Sequence, residues 1–398
     1  MKYKICIVTQ AHLCRNPRVL KEAICLHDAG YGITILNSAF DAALKLEDLN
    51  LLKGRNINLH SVSDLSKSGF TSIIDRMLQK VGVTILTKLK FETQLALGYA
   101  PWRYLKILRK HEYDLYICHQ ELPSCLGTLL MKEGFKVAFD FEDWYSEDLL
   151  PEARKGRALK TIQNAEKIAL QHAGNCWTTS NAMAKSLAIR YNSKEPHVIY
   201  NTFSSQIIAA KTIFKTPLKL FWFSQTLGKG RGLEPFINIL IKLNCPFELH
   251  LLGRCNSSYK NDLKSLVNNK FKLEFHELQP NHLLPSYISQ FDIGLALEQN
   301  EPLSRKYTIT NKLFQYLQAG LPLIATDTPG QKEIIGKTKA GVLIDLSKPE
   351  QWIHLVESFL TDHAVFHDYR QNAIQAAKKY KWEIERGKLL NIISKILQ

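Results

Sequence analysis

Short apolar runs alternate with longer stretches of helical periodicity along the whole chain. Twelve such runs, six in each half, have the length and the β-branched content of buried strands. They cover residues 5–9, 32–37, 57–62, 115–119, 137–141 and 176–179, and then 218–223, 247–252, 273–276, 293–297, 323–326 and 342–344. Buried strands that alternate with helices are typical of parallel sheets built from βαβ units. The pattern therefore predicts an α/β fold made of two doubly wound, Rossmann-like domains.

The two sets of strands imply two domains. A chain of 398 residues is longer than the about 250–300 residues at which a single core stops growing. The segment 197–203, followed by a polar stretch to Pro217, separates the sets, so we place the first domain at residues 1–203 and the second at 204–365. Residues 366–398 are expected to form helices that return to the first domain. Because ligands of such sheets lie at the carboxyl ends of the strands, function is sought in the loops that follow them.

A glycine-rich basic loop follows the strand 218–223. Gly228, Gly230 and Gly232 let the backbone approach a ligand, while Lys229 and Arg231 favour an anion such as a diphosphate. The spacing matches neither a Walker A loop nor a Rossmann fingerprint. The alternative is a flexible basic turn.

Two further segments of the second half point to the same sheet edge. Residues 310–320 predict a short helix with Asn311, Lys312 and Gln315 on a polar side, for which a solvated stripe is the alternative. The loop after the strand 323–326 predicts a helix start, with Thr328 as N-cap, Pro329 first and Gln331 closing a capping box. Amides near Gly330 and Gln331 can bind phosphate or sugar oxygens, although every well-capped helix has them.

The first half offers charged loops at its own strand ends. Arg15 and Arg18 follow the first strand, where Asn16 is the predicted N-cap and Pro17 the first residue of a helix, and both arginines can meet an anionic acceptor. His119 ends a strand, and residues 140–148 form an acidic cluster that includes Asp140, Glu142 and Asp143. Such carboxylates can accept hydrogen bonds from sugar hydroxyls. A charged surface loop is the alternative.

Composition narrows the class of protein. Apolar residues make up 45% and charged residues 22%, which is near the average of soluble domains and excludes a disordered chain. No segment reaches the ~18 uninterrupted apolar residues of a spanning helix. Eight cysteines are scattered without a Cys-x-x-Cys pair, so we expect a reduced cytoplasmic compartment and no zinc site.

Part of the net charge of +15 is concentrated in one segment of the first half. Residues 76–110 hold eight basic residues against Glu92 alone, a net +7, and residues 1–200 as a whole also reach +7. Ile85, Leu86, Leu89 and Phe91 lie among these charges, a pattern expected of an amphipathic helix on anionic lipid. An ordinary solvated helix face is the alternative. The positive charge alone does not indicate nucleic-acid binding, since no reading motif accompanies it.

These motifs together resemble the retaining glycosyltransferases of family 4, which have the GT-B fold. The likeness spans most of the chain: the loop and helix at 9–30, residues 179–181, Tyr200-Asn201 and the Arg231-Gly-Leu-Glu234 loop. Its strongest element is the segment 311–322, followed by 325–327 and Gly330-Gln331.

The resemblance implies that a sugar moves, with retention of configuration, from a nucleotide-diphosphate sugar on the second domain to an acceptor on the first, across a cleft. The acceptor would be a lipid-linked or cell-surface polysaccharide, including lipopolysaccharide, and the enzyme would need no metal or other cofactor. It would work in the cytoplasm, or peripherally on the inner face of the plasma membrane. The implied catalytic residues are Arg231, Lys312 and Glu142; the donor-binding residues are Ser224, Gln225, Thr226, Glu298, Asn311, Gln315, Gly330 and Gln331; and the acceptor-side residues are Arg15, His119, Asp140 and Asp143.

Two positions depart from the family pattern. The paired glutamates of the family fall on Tyr307 and Gln315, so Glu298 or Glu301 would have to replace the first acid. Glu142 stands where the family has a histidine. We interpret the chain as a subgroup with its own donor site. The alternatives are a nucleotide-sugar epimerase on the same fold and a catalytically silent scaffold of a polysaccharide assembly complex.

Overall fold

Parallel β-sheets form the centre of each of two units in the computed structural model, which describes residues 3–110, 113–172, 174–204, 214–280 and 283–398. The first unit comprises Met1–Ile199 and Arg386–Gln398, and the second comprises Tyr200–Glu385. Every strand pairing among the described residues is parallel. The chain therefore has the predicted α/β fold class.

The first unit has a seven-stranded sheet of order β3-β2-β1-β4-β5-β6-β7. Its strands are β1 (Lys4–Val8), β2 (Gly32–Ala39), β3 (Ile57–Asp64), β4 (Leu115–His119), β5 (Val137–Phe141), β6 (Cys176–Thr178) and β7 (His197–Val198). Its helices are α1 (Pro17–Asp28), α2 (Ala42–Leu52), α3 (Phe70–Leu89), α4 (Pro101–Leu108), α5 (Glu121–Lys132), α6 (Pro151–Arg154), α7 (Leu159–His172) and α8 (Asn181–Tyr191). All residues of β4 and β5 are buried, as expected for central strands covered by helices on both faces.

The second unit has a six-stranded sheet of order β10-β9-β8-β11-β12-β13. Its strands are β8 (Leu218–Thr226), β9 (Phe247–Arg254), β10 (Lys272–His276), β11 (Ile293–Ala296), β12 (Leu323–Thr326) and β13 (Gly341–Ile344). Its helices are α9 (Leu233–Leu240), α10 (Ser257–Val267), α11 (Leu284–Ile288), α12 (Leu303–Tyr307), α13 (Asn311–Gln318), α14 (Pro329–Thr338), α15 (Ile353–Thr361) and α16 (His363–Lys379), and α17 (Trp382–Leu397) contains the boundary between the units. One apolar core extends under this sheet and buries Trp222, Phe236 and Phe359.

All twelve predicted strands are present, with small differences at their ends. The strand β8 continues to Thr226, three residues beyond its predicted end, because its apolar run ends before its hydrogen bonding to β9 does. The two-residue strand β7 was not predicted, since two residues carry no periodicity. The predicted N-cap of α1 is confirmed: the Asn16 side chain accepts the Val19 amide hydrogen, with Pro17 as first residue.

The divisions of the chain differ from those expected. The boundary lies between Ile199 and Tyr200 instead of after residue 203, and only residues 386–398 of the C-terminal segment belong to the first unit. The helix α16 remains with the second unit because Phe366 is buried in its core and Gln318 Nε2 donates to the carbonyl oxygens of Ala377 and Tyr380. Much of the polar stretch before Pro217, residues 205–213, lies outside the described residues.

Candidate functional site

A cavity of about 310 Å³ opens at the carboxyl ends of β11, β12 and β13 in the second unit. The loops after three neighbouring strands converge there, as the sequence led us to expect for a parallel sheet. Its lining residues are Pro235, Glu298, Gln299, Asn300, Thr326, Asp327, Thr328, Ile344, Asp345, Leu346 and Ser347. Among the residues predicted to bind a donor, Glu298 lies in this lining. The alternative acid, Glu301, is exposed and does not line the cavity.

A buried hydrogen-bond network holds the exits of β11 and β12 together. The Oγ1 atom of Thr326 accepts from the Glu298 amide at 3.0 Å and from Gln331 Nε2 at 2.6 Å. Gln331 also donates to the Thr326 carbonyl at 3.2 Å and is fully buried. Gln331 therefore positions Thr326 and Glu298 and does not itself face a ligand.

The start of α14 agrees only in part with its prediction. Thr328 is the N-cap and accepts the Gln331 amide hydrogen at 3.4 Å, with Pro329 as first residue. The predicted capping box is wrong, because the Gln331 side chain turns toward Thr326 instead. Gly330 packs so closely on the carbonyl oxygens of Tyr307 and Thr308 that an added Cβ would lie 2.5 Å from each. Because the Gln331 amide donates to Thr328 Oγ1, it is not available to a ligand.

Lys312 lies at the centre of a small group of charges. We expected an exposed side chain, but only 8% of Lys312 is exposed. Its Nζ atom lies 3.3 Å from Glu298 Oε1 and 5.0 Å from the centre of the Trp222 ring. Burial lowers the pKa of Lys312, Arg231 and Arg305 lower it further, and Glu298 opposes them. Arg231 and Arg305 are thus near enough to Lys312 to act on its charge, and the basic residues of this group outnumber its one carboxylate, which favours an anion.

Arg231 and Arg305 belong to a glycine-rich loop and to the helix that supports it. Arg305 Nη1 donates to the Gly230 carbonyl at 2.9 Å. The next glycine, Gly232, caps α9 with a φ of 81°, and an added Cβ would lie 3.0 Å from Leu346 of the cavity lining. Arg231 is half-buried, and no carboxylate of the described residues forms an ion pair with it. Arg305 was missed by sequence reasoning because α12 has no motif of its own.

The remaining predicted donor residues lie outside the cavity lining. Ser224, Gln225 and Thr226 sit in the irregular end of β8 instead of in a loop, and two of them are exposed. Asn311 is exposed and its Oδ1 atom accepts from Asn201 Nδ2 at 2.8 Å. Gln315 is half-buried.

The first unit contains a second, separate charged cluster at the ends of β4 and β5. Arg18 Nε donates to Asp140 Oδ2 at 2.5 Å, and Arg18 Nη1 donates to the Ile199 carbonyl at 2.9 Å. His119 lies between two carboxylates, 3.1 Å from Glu22 Oε2 and 2.9 Å from Glu142 Oε1. Burial lowers the pKa of His119, but the surrounding carboxylates outweigh it and raise the pKa to about 10. The imidazole is therefore a buried cation at neutral pH.

Glu142 is the member of this cluster that reaches the surface. It is half-buried, and its Oε1 atom accepts from Asn16 Nδ2 and His119 Nδ1, both at 2.9 Å. Our expectation that Arg18 meets an acceptor is wrong, because its side chain is buried against Asp140. Arg15 is exposed.

Two acidic residues complete the cluster. Burial, together with Asp148 and Glu142, raises the pKa of half-buried Asp143 well above its usual range. Burial and Asp140 raise the pKa of Glu22 to about 7. Glu22 was missed by sequence reasoning, although its position four residues after Arg18 on α1 was a possible signal.

The surface of the basic segment 76–110 agrees with the prediction in part, because Leu89 and Phe91 are exposed whereas Leu86 is buried. The helix α3 buries small and polar residues, namely Ser72, Asp75 and Gly82, together with Leu86. Its outward side shows Phe70, Ile73, Met77 and Val81, and Phe70 is 79% exposed. Arg103 is paired with Asp75 and Arg109 with Glu133, so neither is a free surface cation. None of the described helices combines the length and apolar character that crossing a membrane requires.

Comparisons with known proteins agree with this architecture. Residues 204–380 match the sequence model of the family described as Glycosyl transferases group 1. A comparison with curated protein sequences gives no match.

Several solved structures share the fold over the full length of the chain. Sucrose-phosphate synthase from Thermosynechococcus elongatus is similar with a TM-score of 0.73 and 11% identity, covering 99% of both chains. HepE from Anabaena, in complex with UDP and glucose, gives a TM-score of 0.68 and 16% identity over 99% of this chain and 100% of its own. WaaG, a glycosyltransferase involved in lipopolysaccharide biosynthesis, gives 0.64 and 13% over 98% of this chain and 99% of its own. The chain thus has the GT-B fold along nearly its whole length, and its residues 204–380 are similar to the glycosyl transferases group 1 family.

Proposed function

We propose that this chain transfers a sugar, with retention of anomeric configuration, from a nucleotide-diphosphate sugar to a glycan acceptor, as family 4 enzymes do. The observation that carries the proposal is that the Lys312–Glu298 ion pair reaches the cavity lining through Glu298, and that the loop bearing Arg231 lies against the same lining, with Gly232 beside Leu346 and Glu298. A diphosphate leaving group gains negative charge as the glycosidic bond breaks. Cations fixed before the reaction lower that barrier, because they need no rearrangement in the transition state.

The polarity of the cavity suits a ligand that carries both phosphates and hydroxyls. Three carboxylates, Glu298, Asp327 and Asp345, belong to its lining. Asp327 is paired with Lys332 at 3.3 Å, and Asp345 accepts from the amide and hydroxyl of Ser347. Carboxylates held in this way accept hydrogen bonds from ribose or sugar hydroxyls, whereas the cations hold phosphate oxygens.

The proposal assigns individual residues to two tasks, neutralising the diphosphate and handling the proton of the acceptor hydroxyl. Arg231 and Arg305 neutralise the diphosphate, and Lys312 contributes charge while Glu298 fixes its direction. In the first unit Glu142 acts on the acceptor side as the group that receives or steers the hydroxyl proton. His119 and Asn16 orient it by their hydrogen bonds to Oε1.

The loop 228–232 offers a matched pair of variants for the test. Arg231→Ala is expected to lower turnover by about 100- to 1,000-fold, as loss of one transition-state donor typically does. The sequence also assigned Lys229, two residues away, to the anion, but its side chain is 79% exposed and lies 3.9 Å from Asp262, so Lys229→Ala is expected to leave turnover unchanged. Turnover is measured as nucleoside diphosphate released from UDP-glucose and other nucleotide sugars in the presence of lipopolysaccharide or lipid-linked acceptors.

Three outcomes contradict the proposal. Equal rates in both variants would remove Arg231 from the mechanism. Epimerised donor that forms without acceptor would assign an epimerase. If no uridine, guanosine or adenosine diphosphate sugar raised the melting temperature, the chain would be a scaffold.

We further propose that α3 rests on an anionic membrane surface near which the acceptor is found. An exposed apolar stripe along a helix is unusual for a soluble surface, and this one is flanked by Arg76, Lys80, Lys88 and Lys90. Apolar side chains that enter the lipid boundary beside lysines that meet its headgroups are the combination that peripheral helices use. This arrangement would place the chain on the inner face of the plasma membrane.

A further inference from the structure

Two histidines and two glutamates meet on one face of the strands β9 and β10. His250 Nδ1 lies 2.9 Å from His276 Nε2 and 3.5 Å from Glu274 Oε2, and the last two atoms are 4.0 Å apart. Glu274 is the direct register partner of His250 across the two parallel strands. Three potential ligand atoms therefore converge at one point, and none of these residues lines the cavity.

The hydrogen bonds around this group define which ring nitrogens carry hydrogen. The Glu248 carboxylate lies 2.9 Å from His250 Nε2 and can only accept, so Nε2 carries the hydrogen and Nδ1 has a lone pair. His276 Nε2 then donates to His250 Nδ1, and Tyr287 donates its hydroxyl to His276 Nδ1 at 2.9 Å.

We propose that His250, His276 and Glu274 bind one divalent transition-metal ion, with Zn²⁺ as the representative. Two nitrogen ligands of a tetrahedral Zn²⁺ are about 3.3 Å apart, since each bond is about 2.0–2.1 Å long. The present separations of 2.9, 3.5 and 4.0 Å bracket that value. A shift of a few tenths of an ångström would thus admit the ion.

Binding requires only one rearrangement of hydrogens. The Nε2 hydrogen of His276 moves to Nδ1, and Tyr287 turns its hydroxyl to accept from Nδ1–H, so no net proton is released. His250 already presents its lone pair, and Glu248 stays on the far nitrogen as the outer partner that metal-binding histidines usually have. Lys272 Nζ pairs with Oε1 of Glu274 at 2.7 Å and with Oε1 of Glu248 at 3.4 Å. The Oε2 atoms of both glutamates are therefore left to face the histidines.

The surroundings are suitable for a metal site. Phe291 packs on His250 with a ring separation of 5.1 Å and provides an apolar wall. Glu274 and His276 are 38% and 21% exposed, so an ion and a completing water can enter from solvent. The ion would join the edge strand β10 to β9.

The two other His-containing clusters of the described chain lack these properties. In the group of His12, Cys14 and Asp48, His12 Nε2 accepts the Phe40 amide and Nδ1 is bonded to Asp48, so no lone pair is free. In the group of Glu22, His119 and Asp140, the Arg18 guanidinium already occupies Asp140. The proposal is independent of the sugar-transfer function.

Zinc binding by the metal-free chain tests the proposal, with competition against a chromophoric chelator as the measurement. We expect one Zn²⁺ per chain in the wild type. His276→Gln should weaken binding by more than about 100-fold, because it removes a ligand, and Glu248→Gln by about 10- to 100-fold, as loss of an outer partner does. His354→Gln, an exposed histidine of α15, is the matched control and should bind like the wild type.

Wild-type affinity in His276→Gln would overturn the proposal. So would loss of zinc only in His367→Gln, since exposed His363 and His367 lie one turn apart on α16 and are a rival pair. With Co²⁺, intense thiolate absorption would assign binding to cysteine. If His276→Gln does not fold, Glu274→Gln at its exposed position decides the matter: it should weaken binding at least about 10-fold with an unchanged circular dichroism spectrum.

Discussion

At the scale of single residues, burial gives several charged side chains functions that their sequence context does not suggest. Lys312 belongs by periodicity to a polar stripe, yet it is buried beside Glu298 and Trp222. Arg18 and His119 are cations locked among carboxylates. A buried ion pair is fragile once one partner is lost, because the remaining charge has no compensation.

The pH dependence of stability provides a test of the buried His119 cation. Its pKa in the folded state is about 10, whereas that of an unfolded histidine is about 6.5. The folded state therefore holds a proton that the unfolded state has released, and the stabilisation is complete below the unfolded pKa and lost as pH rises toward 10. Deprotonation of His119 by itself should lower the free energy of unfolding by up to about 1.4 kcal/mol per pH unit in this range, and the difference from a variant without His119 isolates this contribution.

Urea unfolding between about pH 8 and about pH 9.5 measures this slope, above the pKa of about 7 of Glu22. His119→Asn should flatten the slope, while His27→Asn, a more exposed histidine of α1, should keep it. Parallel curves for the wild type and His119→Asn would refute the assignment.

At the scale of elements, the helix α3 is unusual because a row of its apolar side chains faces outward instead of into the unit. Its inward side buries Ser72, Asp75 and Gly82 together with Leu86, while its outward side exposes an apolar stripe, so packing within the first unit does not account for the stripe. The membrane docking proposed above would account for it. Of the apolar residues on which the sequence prediction relied, Leu89 and Phe91 are exposed, whereas Ile85 is half-buried and Leu86 is buried. The exposed stripe begins earlier, at Phe70.

Vesicle sedimentation tests the membrane proposal at this helix. The triple variant Lys80→Glu, Lys88→Glu and Lys90→Glu should release the chain from anionic vesicles, since each lysine contributes about 1 kcal/mol near such a surface. Met77→Glu, at a position 61% exposed, should weaken binding to anionic vesicles as well.

The matched control is Leu46→Glu on α2, which is 60% exposed and lies outside the stripe. Arg103 is left unchanged because its pairing with Asp75 is structural. Undiminished sedimentation of the triple variant would argue against docking through α3.

At the scale of the whole molecule, the last residues of the chain belong to the first unit although they follow the second. The helix α17 contains the division, and Leu389, Ile392 and Ile393 are buried in its later part. Its end also reaches the sheet region of the first unit, where Lys136 Nζ donates to the Leu397 carbonyl at 3.5 Å.

Leu389→Ala should therefore lower the free energy of unfolding by about 2–5 kcal/mol, the usual effect of truncating a fully buried leucine. Ile384→Ala, on the same helix but 42% exposed, should lower it by less than about 1 kcal/mol. Chemical denaturation followed by fluorescence compares the two. An equal loss in both variants would contradict this role for the end of α17.

Sequence patterns predicted the fold better than the site, for physical reasons. Buried parallel strands are continuous apolar runs, so all twelve predicted strands were found. N-caps such as Asn16 and Thr328 are recognisable from the residues next to them in the sequence. Contacts between side chains that are distant in sequence leave no comparable pattern along the chain. The direction of the Gln331 side chain, the contribution of Arg305 and the meeting of His250 with His276 from two separate strands depend on tertiary packing, which spacing along the chain does not encode.

The hydrogen-bond network between β11 and β12 determines how the hydroxyl of Thr326 can interact with a ligand. Its oxygen has two lone pairs, and both are directed at donors, the Glu298 amide and Gln331 Nε2. The hydroxyl hydrogen consequently points elsewhere, and Thr326 lines the cavity. A ligand that meets this hydroxyl must therefore offer it an acceptor, such as a phosphate, carbonyl or ether oxygen, since the hydroxyl can give a hydrogen bond but cannot receive another.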